Sequence, residues 1–207
     1  VASYVTPIEA NPMSAPPRTR RRTFIITLTV LICAAGSGAG YQWFEGRYVR
    51  AFSDKTALFA GDALSLPPEF SGPGRIRVVH FWDPACPCNV GNQQHLTELV
   101  EHFSGANGVD FYAVQKPGSH GRLPDTLSAI KPLSGLPGAD RITSSPAVAI
   151  WDRQGKLAYF GPYSEGLVCN SKNSFIEPIL LALKSDRPVS ATHTMAVGCY
   201  CPWQNAD

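Results

Sequence analysis

The sequence predicts an α/β protein: a mixed sheet of four to five strands with helices on both faces, behind an N-terminal transmembrane helix. Three observations carry this expectation. Residues 23–44 bear no charge and follow a basic cluster. From residue 75 onward, β-rich and helical patterns alternate in the order β-α-β-α-β-β-α. The last two strands flank a tight-turn signal, which makes the end of the sheet antiparallel. A hydrophobic content of 44% over 207 residues is enough to build a core.

The elements follow in order. Residues 1–22 contain Pro7, Pro12, Pro16 and Pro17 with few apolar side chains, and read as a disordered cytoplasmic tail. Residues 23–44 read as a transmembrane signal-anchor, because such a helix is roughly 33 Å long, about the thickness of the hydrocarbon core. Arg18, Arg20, Arg21 and Arg22 precede it, so the N-terminus is expected inside and the C-terminal bulk outside. Tyr41, Trp43 and Phe44 would then form the outer aromatic belt. The competing reading is a cleaved signal peptide, with small residues at Ser37-Gly38-Ala39. Both readings place residues 45–207 in an oxidising space.

Residues 45–70 form a connector ending in LPPEF, with room for a short hairpin. Residues 75–82 (RIRVVHFW) read as a strand. Residues 89–103 read as a helix, with Leu96, Leu99, Val100 and Phe103 on one stripe. DFYAVQ (110–115) is a short strand, and 125–133 a short helix weakened at its end by Pro132. Strands 147–151 and 156–160 flank Asp152-Arg153-Gln154-Gly155, a type I turn signal. Ser174 and Glu177 match a capping box before an apolar helix ending near Lys184. Residues 187–207 form a cysteine-containing tail ending in GCYCPW. A net charge of +2, with no basic face interleaved with aromatics, gives nucleic-acid binding no footing.

The residues that carry chemistry lie in HFWDPACPC (80–88), at the end of the first long strand. This stretch, the helix straight after it, and SSPAV (144–148) before a hairpin resemble the thioredoxin superfamily. The resemblance covers about residues 71–186, and is greatest to bacterial membrane-anchored thioredoxin-like proteins. It implies a thioredoxin-like fold and an inner-membrane, single-pass protein with its C-terminal domain in the periplasm. It puts Cys86 on the nucleophilic cysteine and Pro146 on the cis-proline facing it, with Ser145 before that proline. His80 falls where many members carry a buried acid. The chain departs from the family pattern in two ways: one residue separates the cysteines instead of two, and Ala85 replaces a tryptophan. Cys88 is therefore the resolving cysteine by role and not by alignment.

The residues themselves point the same way. Pro87 keeps Cys86 extended and suits the first position of a helix, which makes Cys86 the N-cap. Backbone N–H groups and the positive end of the helix then favour a thiolate. A Cys86–Cys88 disulfide would close a very small ring, so it would make a poor stabiliser and a strained, readily reduced bond. The expected activity is thiol–disulfide exchange with protein thiols or disulfides, and it requires no cofactor. Trp82, Ser145 and Pro146 are expected to bind substrate, with Pro146 holding open a backbone edge for an extended peptide. His80 is a candidate to transfer a proton, against the plainer reading of a hydrogen-bonded interior histidine.

Cys199 and Cys201 admit three readings: a second redox pair on the tail, a structural bridge to Cys169, or part of a soft-metal site with His193 nearby. Disulfide chemistry suits the compartment better than metal. The alternative function is accordingly a copper-binding or assembly protein on the same fold.

Overall fold

The computed structural model describes residues 17–53, 61, 63–192 and 195–204. The chain divides into two units, Val1–Glu45 and Gly46–Asp207. Helix α1 runs Pro17–Tyr48, longer at both ends than the uncharged run, because the arginines before it and Gly46–Tyr48 after it continue the helical turn. Within it, Arg20–Tyr48 is long and apolar enough to cross a membrane. By length and composition a signal sequence meets the same test. The proline-rich tail predicted for residues 1–22 lies mostly outside the described residues, as do residues 54–60 and 62 of the connector and His193.

The second unit is built on a six-stranded sheet, wider than the four or five strands expected. Its strands are β2 (Ile76–Trp82), β3 (Val109–Gln115), β4 (Lys131–Leu133), β6 (Ala147–Trp151), β7 (Leu157–Gly161) and β8 (Ala191–Thr192), in the spatial order β4-β3-β2-β6-β7-β8. Strands β2, β3 and β4 are parallel, whereas β6 lies antiparallel to both β2 and β7. Two short ribbons add to this sheet: β1 (Val49–Ala51) pairs β9 (Val197–Cys199), and β5 (Ser144–Ser145) pairs β10 (Cys201–Pro202). Helices α2 (Val90–Phe103) and α3 (Ile176–Lys184) complete the unit. The fold is thioredoxin-like: a parallel β-α-β start, an antiparallel hairpin and a closing helix on one mixed sheet.

Alternation along β2 sorts its side chains between two cores. Ile76, Val78 and Trp82 pack with Leu96, Leu99, Val100 and Phe103 of α2 and with Ile176, Ile179, Leu180 and Leu183 of α3. Val79 and Phe81 face the other way. That second face is covered by Phe52, Leu64 and Leu66, by Leu136 and the 3₁₀ turn Ala139–Arg141, and by Tyr200 and Trp203 of the tail. Its helical cover, among the described residues, is that turn and the 3₁₀ turn Pro68–Phe70, whose Phe70 packs on Tyr112. The tail is therefore part of a core and not an appendage.

Three local expectations meet the structure directly. The side chain of Ser174 accepts from the N–H groups of Ile176 and Glu177, capping α3. The turn at Asp152–Gly155 closes with Gly155 N donating to Asp152 O, and Gly155 takes a positive φ of 81° that favours glycine. The predicted helix 125–133 is instead a 3₁₀ turn, Asp125–Leu127, followed by strand β4. Pro132 removes an amide and clashes with the turn before it, so a helix cannot continue through it, whereas an edge strand tolerates it.

Candidate active site

Cys86 sits at the end of the β2–α2 connection. Its backbone is extended (φ −83°, ψ 116°), Pro87 opens a 3₁₀ turn over Pro87–Asn89, and α2 continues from Val90. This is the geometry that a proline after the cysteine dictates. The approach to Cys86 is fixed by Asp83. Its carboxylate accepts from Ala85 N, its carbonyl from Cys86 N and from the Asn89 side chain, and it is ion-paired to Lys116 at 3.2 Å.

Across from Cys86 stands the Ser145–Pro146 peptide, which is cis. Cys86 Sγ lies 3.8 Å from Ser145 O. In the disulfide that sulfur carries no proton, so this is a contact and not a hydrogen bond. Ser145 Oγ is buried with no hydrogen-bond partner among the described residues.

The disulfides differ from the sequence expectation. Cys86 is bonded to Cys201, and Cys88 to Cys199. Neither the Cys86–Cys88 pair nor the Cys199–Cys201 pair is bonded within itself, and Cys169 is a free, buried thiol. The cause is local. The β10 strand lies antiparallel to β5, with Cys201 opposite Ser145. Side chains two apart on an extended chain point the same way, so Cys199 and Cys201 both face the start of the helix, and Tyr200 between them turns into the opposite core. The backbone edge expected to stand open for a substrate is occupied by the chain's own tail.

His80 lies on the α2 side of β2, within a cavity of about 350 Å³ that Cys86, Trp82, Pro87, Leu96 and Leu127 also line. Burial pushes its pKa down to about 4, against a smaller upward effect from a hydrogen bond with the Ala147 backbone. The ring is therefore neutral at pH 7. Its Nδ1 is hydrogen bonded to Tyr163 Oη at 2.9 Å. Burial likewise raises the Tyr163 phenol well above its usual value and pushes the Cys169 thiol up to about 11. Trp82 also lines a neighbouring cavity of about 420 Å³, with Arg122, Leu123 and Pro124 common to both.

The sulfurs of Cys86, Cys88 and Cys201 lie within 4.8 Å of one another, close enough to share a metal ion if reduced. Three participants were not legible in the sequence. Tyr163 is 83 residues from His80 and Lys116 is 33 from Asp83, so neither spacing marks a contact. Trp203 carries one usable sign, its place two residues after Cys201.

A family described as a domain of unknown function, DUF6436, matches residues 55–203. The chain belongs to it. The DUF6436 match runs through Trp203, so it takes in both C-x-C motifs. No curated protein matches the chain. Among solved structures it is similar to an uncharacterised conserved protein from Geobacillus kaustophilus, at 18% identity over 77% of this chain and 92% of that one, with a TM-score of 0.49. A hypothetical protein from Sinorhizobium meliloti 1021, SMc02350, gives 17% identity over 75% and 92%, with a TM-score of 0.48. A thiol-disulfide isomerase from Corynebacterium glutamicum gives 13% identity over 67% and 93%, with a TM-score of 0.39.

Proposed function

We propose that the chain is a membrane-anchored thiol–disulfide oxidoreductase whose second unit faces an oxidising compartment, the bacterial periplasm, with Cys86 as the exchanging sulfur and Cys88 as the resolving one. One observation carries this reading. Cys86 stands at the start of a helix, beside the backbone preceding a cis-proline, already joined to a cysteine on a strand laid along that backbone. A covalent intermediate between an enzyme cysteine and an extended substrate has the same arrangement.

In the reducing direction, the Cys86 thiolate attacks one sulfur of a substrate disulfide. The new Cys86–substrate bond forms as the old bond breaks, and the departing thiolate takes up a proton. Cys88 then attacks Cys86 Sγ, forming Cys86–Cys88 and releasing the second substrate thiolate. Two electrons pass from protein to substrate, and the reverse sequence oxidises a dithiol. The helix N-terminus stabilises the Cys86 thiolate. Trp82, Ser145 and Pro146 bound the docking site. His80, neutral beneath the cysteines, supplies a hydrogen-bonding surface, and its uptake of a proton is confined to acid conditions.

The test uses the full chain, reduced, with glutathione disulfide as substrate. Cys86→Ser should abolish exchange, and Cys88→Ser should accumulate a mixed disulfide at Cys86. Exchange at the parental rate in Cys86→Ser would refute the assignment. A second reading has one observation in its favour, the close approach of three sulfurs. In that reading the reduced chain holds Cu(I) or Zn through thiolates. Stoichiometric metal retention, lost in Cys86→Ser and accompanied by no exchange, would support it instead.

A further inference from the structure

We propose that the C-terminal segment 197–203 is a tethered substrate, and that its departure on partial reduction opens the β5 edge to an extended partner with a cysteine followed two residues later by a large aromatic. This rests on the oxidoreductase reading and names both the ligand class and the gate. The tail is held along its whole length, first by β9 pairing β1 over Val197–Cys199. Cys201 and Pro202 pair with Ser145 and Ser144. The ladder continues as Trp203 N donates to Thr143 O. The Trp203 ring is buried edge-on against Phe81, with centroids 5.8 Å apart. Lys116 donates to Pro202 O at 3.0 Å while ion-paired to Asp83, so one ammonium grips both the tail and the turn that presents Cys86. On the other side of Cys201, Tyr200 packs against Phe52 and donates to Ser164 O. An antiparallel ladder supplies affinity without regard to sequence, and a side-chain pocket supplies selectivity. Here the pocket is the one filled by Trp203.

The gate follows from the crossed pairing. While Cys88 is bonded to Cys199 it cannot resolve Cys86–Cys201. A dithiol donor reduces Cys88–Cys199, giving two thiols and the donor's disulfide. The Cys88 thiolate then attacks Cys86 Sγ. Cys86–Cys88 forms, Cys86–Cys201 breaks, and Cys201 leaves as a thiolate that is protonated. The net change is two electrons gained: one disulfide remains, at Cys86–Cys88, and both tail cysteines are thiols. The tail is then held by non-covalent contacts only, its ladders on β5 and β1 together with Lys116, Tyr200 and Trp203, and an external strand can compete for the β5 edge.

The experiment titrates the full oxidised chain with dithiothreitol, quenches by alkylation, and maps the cysteines by mass spectrometry. At the two-electron point, Cys199 and Cys201 should be alkylated and Cys86–Cys88 intact. Retention of Cys86–Cys201, or appearance of Cys199–Cys201, overturns the proposal. A second arm offers the fully reduced chain the peptide acetyl-Gly-Ser-Tyr-Cys-Pro-Trp-amide with its cysteine activated as the 5-thio-2-nitrobenzoate disulfide. It should react about tenfold or more faster than the same peptide with Ala for Trp, the effect of burying one aromatic. Equal rates overturn the assigned partner class. Glutathione disulfide run in parallel separates the two claims. If it reacts at Cys86 while the peptides do not differ, the inference fails and the oxidoreductase reading stands. If Cys86 reacts with neither, both fail.

Discussion

Removing the two disulfides separately and together should give strongly non-additive losses of stability. The bridges close nearly the same loop: 115 residues separate Cys86 from Cys201, and 111 separate Cys88 from Cys199. By chain entropy, closing a loop of that length is worth about 4.8 kcal/mol at 25 °C. Once one bridge is closed, the other closes only a ring of about five residues through 86–88 and 199–201, worth about 2 kcal/mol. The variants are Cys88→Ala with Cys199→Ala, Cys86→Ala with Cys201→Ala, and all four. Each pair should cost about 2 kcal/mol and the four together about 7, some 3 more than the sum. Guanidinium unfolding of residues 46–207, followed by tryptophan fluorescence, reads all three. A fourfold variant within 1 kcal/mol of the additive sum would refute the reasoning, because it would mean that the bridges do not share one loop.

Three further outcomes follow from the site. His80 has a native pKa of about 4, below its ordinary 6.5, so the unfolded state binds more protons between those values. Stability should therefore fall as pH drops from about 6.5 to 4, by roughly 3 kcal/mol at most; denaturation at pH 7 and pH 4.5 should show this loss, and His80→Asn should abolish it. Cys169, with its thiol pushed up to about 11, should be the slowest cysteine of the reduced second unit to react with iodoacetamide at pH 8, and equal labelling would contradict its burial. Lys116→Met removes both the Asp83 pair and the bond to Pro202 O, which should cost about 2 kcal/mol and speed the reduction of Cys86–Cys201 by dithiothreitol. An unchanged reduction rate would mean that Lys116 does not hold the tail.

The parts of this molecule that local chemistry determines were legible in the sequence. Short β-rich runs marked β2 and β3, the 3.6-residue stripe marked α2, and Pro87 fixed both the extended backbone of Cys86 and the start of the turn after it. Ser174 announced its own cap. What could not be read was whatever depends on partners distant in sequence. Four cysteines in two C-x-C motifs allow three pairings, and spacing does not choose among them. The choice is made by β10 docking on β5, a two-residue ladder with too little pattern to detect. The same holds for the second core. Tyr200 and Trp203 looked like tail residues, yet they fill a face of the sheet that no α-helix covers among the described residues. Pro132 was read as weakening a helix when it marks an edge strand, because a three-residue strand is too short to show alternation.

The most direct test of the account equilibrates the full chain across a graded series of glutathione redox buffers and maps every cysteine by alkylation and mass spectrometry. The account predicts Cys86–Cys201 and Cys88–Cys199 at the oxidising end, reversible appearance of Cys86–Cys88 at intermediate potentials, and all four of these cysteines as thiols at the reducing end. If Cys86 and Cys88 never bond to each other at any potential, Cys86 is not an exchanging sulfur resolved by Cys88, and the oxidoreductase reading is wrong.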